Sequence, residues 1–401
     1  MSLKRAAQYL IFLGLLLSPL NGFIEYLYTL DLNLYPILGG KLLWVEKGIK
    51  DGLLLIILAL TFAALANKAR IKFNALFFIL VSFILFVFSL SLVQNPVFTL
   101  IGVRSLLPVL MFLAGSVFLL EKDLDIIAQI LTLMVVVLVP FALAQFFFGT
   151  TIYGPAFGRF AARIIAVFCM PNSFGFFLLS FIMFSFLYRG MASWFLFSVA
   201  AGLIVLTGSG MSLVALVLFG AIVAFRKIKN PCLKILLIAL VPPALPFAAL
   251  LAYHLIPVIT NRPGIWLSPA IRLESMTEYF CNSGLLNLLM GRGFGYGTNA
   301  AFGLLPQGSE LLSFMPESLY MSLFLQIGLI GAFLFIALNV KIYLESSSKY
   351  KTMIPVFMFT GLTLNLLELF PINWLYMLLL GVCAKTTAGR APAKGRAAAN
   401  A

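Results

Sequence analysis

Apolar residues run through this chain in long unbroken blocks, near 7–21, 52–66, 75–93, 97–120, 125–149, 164–188, 191–207, 211–225, 235–256, 317–340, 352–369 and 372–384. Most approach the roughly 18–25 residues that carry a helix across the ~30 Å hydrocarbon layer. Lipid offers no partner to a free backbone N–H or C=O, so a spanning segment is either a helix or a strand of a closed barrel. Barrel strands are shorter and alternate in polarity, and these blocks do neither. The pattern predicts an all-α, polytopic membrane helix bundle of about twelve spans.

Short polar joints separate most blocks, with one exception of about sixty residues, 257–316. It holds "NRPGIWLSPAIRLESMTEYF", apolar at helical spacing, and then the glycine-rich "MGRGFGYGTN". A partly helical cap is expected there. The predicted organisation is a transmembrane bundle over 1–256, an outer loop over 257–316, C-terminal spans over 317–384 and a disordered tail over 385–401. Within 352–384, Asn365, Glu368, Pro371 and Asn373 break the apolar run, and Pro371 cannot continue a helix. Two tight spans are expected in place of one.

Composition agrees: the chain is 62% hydrophobic and 10% charged, far from soluble usage. A net charge of +14 could indicate nucleic acid, but its placement indicates topology. Counting sides from an inner N-terminus, the inner joints collect most of the basic residues. Among them are Lys4, Arg5, Lys68, Arg70, Arg226, Lys227, Lys229, Lys349, Lys351 and Arg390. That bias predicts both termini in the cytoplasm and leaves no nucleic-acid footprint. The first block lacks a small-residue cleavage site, so it is expected to be a retained span. Cys169, Cys232, Cys281, Cys383 and the lone His254 show no metal-ligand spacing. The alternate glycines of "GRGFGYG" follow no strand, which makes a poor dinucleotide loop. No cofactor is expected.

Ionisable residues within or just above a membrane are expensive, and they point to function. Arg104 falls about eight residues into the fourth block, roughly 10–12 Å below the outer surface. Arg163 is expected to open the sixth span, with Arg159 one turn earlier on the same face. Arg272 and Arg292 belong to the long loop. Arginine there runs against the positive-inside bias, and its forked donors suit phosphate. Together these residues suggest a phosphate-bearing, membrane-borne ligand. Each also has an ordinary reading, as a snorkelling side chain or an ion pair with Glu274 or Glu278. Pro171 and Asn172 are expected to interrupt the sixth span early, and "LTGSGMSLVAL", with Ser209, forms a small-residue hairpin that lets helices approach closely. Glu317, in "SFMPESLYMSLFLQIGLIG", stands where a helix enters the membrane. A helix N-terminus alone would favour an acid there.

In order along the chain, "RIIAVFCMPNSFGFFLLS", "LTGSGMSLVAL", "IRLESMTEYF…LLMGRGFGYGTN" and "PESLYMSLFLQIGLIG" resemble the O-antigen ligase/polymerase superfamily. Its members have the glycosyl-transferase C type of membrane fold. The resemblance covers roughly residues 155–335. It implies that Arg163 and Arg272 contact the diphosphate of an undecaprenyl-diphosphate-linked oligosaccharide; Arg159, Arg292 and Arg104, singled out by their placement, are expected to bind it with them. Pro171, Asn172 and Ser209 would shape the site. Glu317 stands where ligases of the family carry histidine, and Gly210 where arginine is common, so a polymerase is favoured over a ligase. The implied reaction is metal-independent and inverting, on the outer side of a bacterial inner membrane. Membrane lipids and a chain-length regulator are the implied partners. A ligase transferring the glycan to lipid or protein remains open, as does a lipid-linked glycan flippase or transporter.

Overall fold

A computed structural model describes residues 3–19, 40–67, 75–151, 154–155, 163–168, 171–190, 194–232, 234, 253–255, 258, 274, 277, 279–281, 283–298 and 318–388. Among the described residues the regular structure is helical apart from one two-residue antiparallel pair, Thr150–Thr151 with Gly154–Pro155. In chain order the helices are α1 (Leu3–Leu16), α2 (Gly40–Ala66), α3 (Ala75–Gln94), α4 (Pro96–Leu106), α5 (Met111–Phe118), α6 (Glu121–Phe148) and α7 (Pro171–Arg189). They continue as α8 (Trp194–Leu206), α9 (Gly210–Lys227), α10 (Leu285–Met290), α11 (Leu319–Glu345), α12 (Met353–Thr360) and α13 (Ile372–Ala388).

Seven candidate spans are long and apolar enough to cross a membrane: Gly48–Ala66, Ala75–Gln94, Pro96–Phe118, Glu121–Phe148, Pro171–Arg189, Gly210–Lys227 and Leu319–Glu345. This is a helical, multi-pass membrane protein. Of the expected spans, most of 235–256 lies outside the described residues, as do most of the long loop and the tail from 389 onward. The block 352–369 holds only the eight-residue α12 followed by non-helical backbone. The sixth block begins its helix at Pro171, not at 164. Proline sits there at the first helical position, where its missing N–H has no helical partner to lose. It starts the helix and does not bend it.

Two compact units emerge, one of Met1–Phe12, Gly52–Leu124 and Glu278–Ala401, the other of Leu13–Asp51 and Asp125–Thr277. In the first, α13 is buried along most of its length, from Ile372 through Cys383. Its closest neighbour is α5, and the two meet at glycine. A Cβ on Gly115 would fall 2.7 Å from the Leu378 carbonyl oxygen, and one on Gly381 would run into that of Phe112. Ser116 Oγ donates across the crossing to Gly381 O at 3.1 Å. Small residues let helix backbones approach where lipid removes any hydrophobic drive between helices. At the start of α6, Asp123 accepts from Leu120 N at 2.8 Å and from Gln8 Nε2 at 3.1 Å, which fastens α1 to the unit. In the second unit α7 is central, with Phe174 through Ser185 all buried.

Substituting valine at Gly381 should overpack the crossing at a cost of about 1–3 kcal/mol. Thermal denaturation in detergent should show a loss of several degrees for Gly381→Val. Gly202→Ala, where an added Cβ meets nothing within 4 Å, should leave the midpoint unchanged or slightly higher. Equal losses in the two variants would remove the glycine crossing as a stabilising contact.

Candidate functional site

In the second unit, residues 163–168 precede α7 as irregular backbone. Ala166 adopts φ 48°, in the left-handed region that non-glycine residues seldom occupy. The stretch is held by Gln145, a buried side chain on α6. Its Oε1 accepts from Ile165 N at 3.0 Å and Ala166 N at 3.2 Å, while its Nε2 donates to Arg163 O at 3.0 Å. One carboxamide thereby supplies three backbone groups that a helix would otherwise have paired. Ile164 N adds a bond to Leu206 O, at the end of α8.

Arg163 is half-buried and lies eight residues before the helix it was expected to open. Its Nε donates to Thr207 O at 2.7 Å, and its Nη2 donates to Asn172 Oδ1 at 3.0 Å and Gly208 O at 3.3 Å. The guanidinium therefore ties the first turn of α7 to the turn between α8 and α9. All three acceptors are neutral carbonyl oxygens. The turn fits closely: a Cβ on Gly175 would lie 2.8 Å from Ser212 Oγ and 3.1 Å from Ser209 Cβ. Ser209 precedes α9, and its hydroxyl pairs with Ser212 at 2.8 Å. Arg163, Pro171, Asn172 and Ser209 thus gather in one place. Gln145 was missed. The signal was a lone amide in the apolar "FALAQFFFG", which requires a partner in that setting.

In the first unit, "GRGFGYG" folds as a turn whose glycines 291, 293, 295 and 297 have φ of 83°, 106°, 93° and 73°. A Cβ on Gly291 would lie 2.6 Å from the Gln326 carbonyl carbon, and one on Gly295 would strike Phe98 O. Gly291 and Gly295 thus serve close approach to α11 and α4, and Gly293 to Ser91 of α3. Arg292 N donates to Leu325 O at 2.7 Å, Phe294 N to Ser91 Oγ at 2.9 Å, and Gly295 N to Gln326 Oε1 at 3.4 Å. Those amides point to protein oxygens, which sets the turn apart from a phosphate cradle. Helix α11 breaks opposite, at Gly328 with φ 66° and ψ −174°. Arg292 places its guanidinium 5.0 Å above the Tyr279 ring, and its buried Nε has no hydrogen-bond partner among the described residues. Arg104 sits exposed in the last turn of α4, ahead of the 3₁₀ turn Leu107–Leu110.

At the start of α11, Ser318 is the N-cap: its Oγ accepts from Met321 N and donates to Gly361 O at 3.1 Å. Leu319 N donates to Gly361 O at 2.9 Å and Leu364 O at 3.0 Å. Glu317, Arg272 and Arg159 lie outside the described residues. Since Ser318 fills the capping position, the acid at 317 precedes the cap and is not needed for it. Among the described residues, no three His, Cys, Asp or Glu side chains converge as a metal site would require. The chain matches no protein-family model and no curated protein.

Gln145→Leu should strand two amide N–H groups and one carbonyl, each worth about 1–3 kcal/mol when buried. Its midpoint in detergent should fall well below that of Gln129→Leu, also on α6, which removes only an exposed bond to Tyr188 of α7. Comparable midpoints would show that Gln145 does not hold 163–168.

Proposed function

We propose that the chain is a membrane glycosyltransferase that joins lipid-linked oligosaccharide repeats into a longer polysaccharide. Carrying the reading is the meeting of "RIIAVFCMPNSFG" and "LTGSG" through Arg163, which bonds to Asn172, Thr207 and Gly208. Two stretches that resemble successive family motifs thereby meet at a charged residue. A second pair, "GRGFGYG" and "SLYMSLFLQIG", meets through Arg292 N, Gly295 N and Ser322 Oγ.

In this reading Arg163 and Arg272, with Arg159, Arg292 and Arg104, hold the diphosphate of an undecaprenyl-diphosphate donor. Glu317 accepts the proton of an acceptor sugar hydroxyl as its oxygen attacks the anomeric carbon. The bond from that carbon to the diphosphate breaks, the configuration inverts, and the lipid diphosphate departs with the electron pair. Arginine screening makes that diphosphate a good leaving group, so no metal is required. The bundle has about twelve spans in a bacterial inner membrane, with both termini cytoplasmic. The chemistry lies on the outer side, and a chain-length regulator is a natural partner.

Purified protein given lipid-linked oligosaccharide should produce longer chains. Glu317→Gln should retain donor binding and lose extension by roughly 10²–10⁴-fold, the usual worth of a general base. Full extension by that variant would remove Glu317 as base. Transfer onto a non-repeat acceptor would identify a ligase, and no covalent change by the wild type would favour a transporter.

A further inference from the structure

The geometry points to the irregular stretch 361–371 as the acceptor-sugar seat, with Asn365 as its specificity-determining residue; this rests on the glycosyltransferase reading above. Helix α12 stops at Thr360 and α13 starts at Ile372. Non-helical backbone at membrane depth is tolerated where it is buried in protein or lines a cavity. This stretch docks on the first residues of α11, through Gly361 O and Leu364 O on Leu319 N and through Gly361 O on Ser318 Oγ. Asn365 directly follows Leu364, one of the two acceptors in this contact.

Asn365 is 7% exposed, and its Nδ2 and Oδ1 are both covered without a hydrogen-bond partner among the described residues. Asn373, in the same region, behaves differently. Its Nδ2 donates to Leu367 O at 2.9 Å and its Oδ1 accepts from Trp374 N at 2.8 Å. One asparagine is used to hold the break, and the other is left with a donor and an acceptor side by side. A sugar's neighbouring hydroxyls present the complementary pair, one accepting and one donating. Covered, unpaired amide atoms disfavour the sugar-free packing. Hydroxyls that reach the two amide atoms restore both bonds, so sugar binding draws on relief of that penalty.

Asn365→Leu keeps the heavy-atom branching of the side chain and removes both polar atoms. Without sugar, its melting midpoint in detergent should exceed the wild type's. With extracted lipid-linked oligosaccharide saturating as donor, and glycan freed from it by mild acid as acceptor, the acceptor KM should rise at least about tenfold. Donor KM should stay within about twofold, because the diphosphate contacts are untouched. A lower midpoint without sugar, or an unchanged acceptor KM, overturns the assignment. If the wild type extends nothing, the polymerase reading has failed separately. The seat is then tested by thermal shift with neutral oligosaccharides. Stabilisation of the wild type that Asn365→Leu lacks supports the seat, while equal shifts or none overturn it.

Discussion

A backbone amide in hydrocarbon has to find its partner inside the protein. In the helices the demand is met automatically, which lets most of the chain be nothing more than apolar. At the breaks it falls on particular side chains. Gln145 supplies the partners for Arg163, Ile165 and Ala166, and Ser91 and Gln326 supply those for the glycine turn. Ser318 and Asn373 do the same for the 361–371 stretch. Some polar residues of the apolar helices are thus the counterparts of irregular backbone elsewhere in the same unit, while others, such as Thr61, Ser180 and Asn339, bond back to their own helix.

This division explains what the sequence made legible. Helices such as Ala75–Gln94 and Gly210–Lys227 fall almost where their apolar blocks lie, because hydropathy and length alone decide them. The start of α7 was placed too early because residues 164–168 are as apolar as the helix after them. What keeps them irregular is Gln145, some twenty residues away, and local hydropathy carries no trace of such a partner. The kink at Gly328 escaped for a similar reason. Its cause is the backbone of Leu289 and Gly291 pressed against it.

Of the candidate site, residue types were visible and roles only in part. Arg163 stood out as an arginine on the disfavoured side, and it is the residue around which Asn172 and the 207–209 turn assemble. Its spacing to Pro171 suggested a shared helix, whereas the structure joins them across a turn. Glu317 attracted notice as a helix-entry acid. Ser318 holds that capping position, one residue later in the chain. Asn365 was taken as a helix breaker, a role in which its unpaired amide would have no purpose.

The glycine turn also limits how this protein can change over time. Gly291 and Gly295 face backbone and Gly293 faces Ser91, so none of the three admits a side chain, while Phe294 and Tyr296 between them pack on the rings of Phe88 and Phe98. Inserting or deleting a single residue would put a side chain where a glycine now meets its neighbours at left-handed φ. Drift at this turn is therefore constrained by register as well as by residue type.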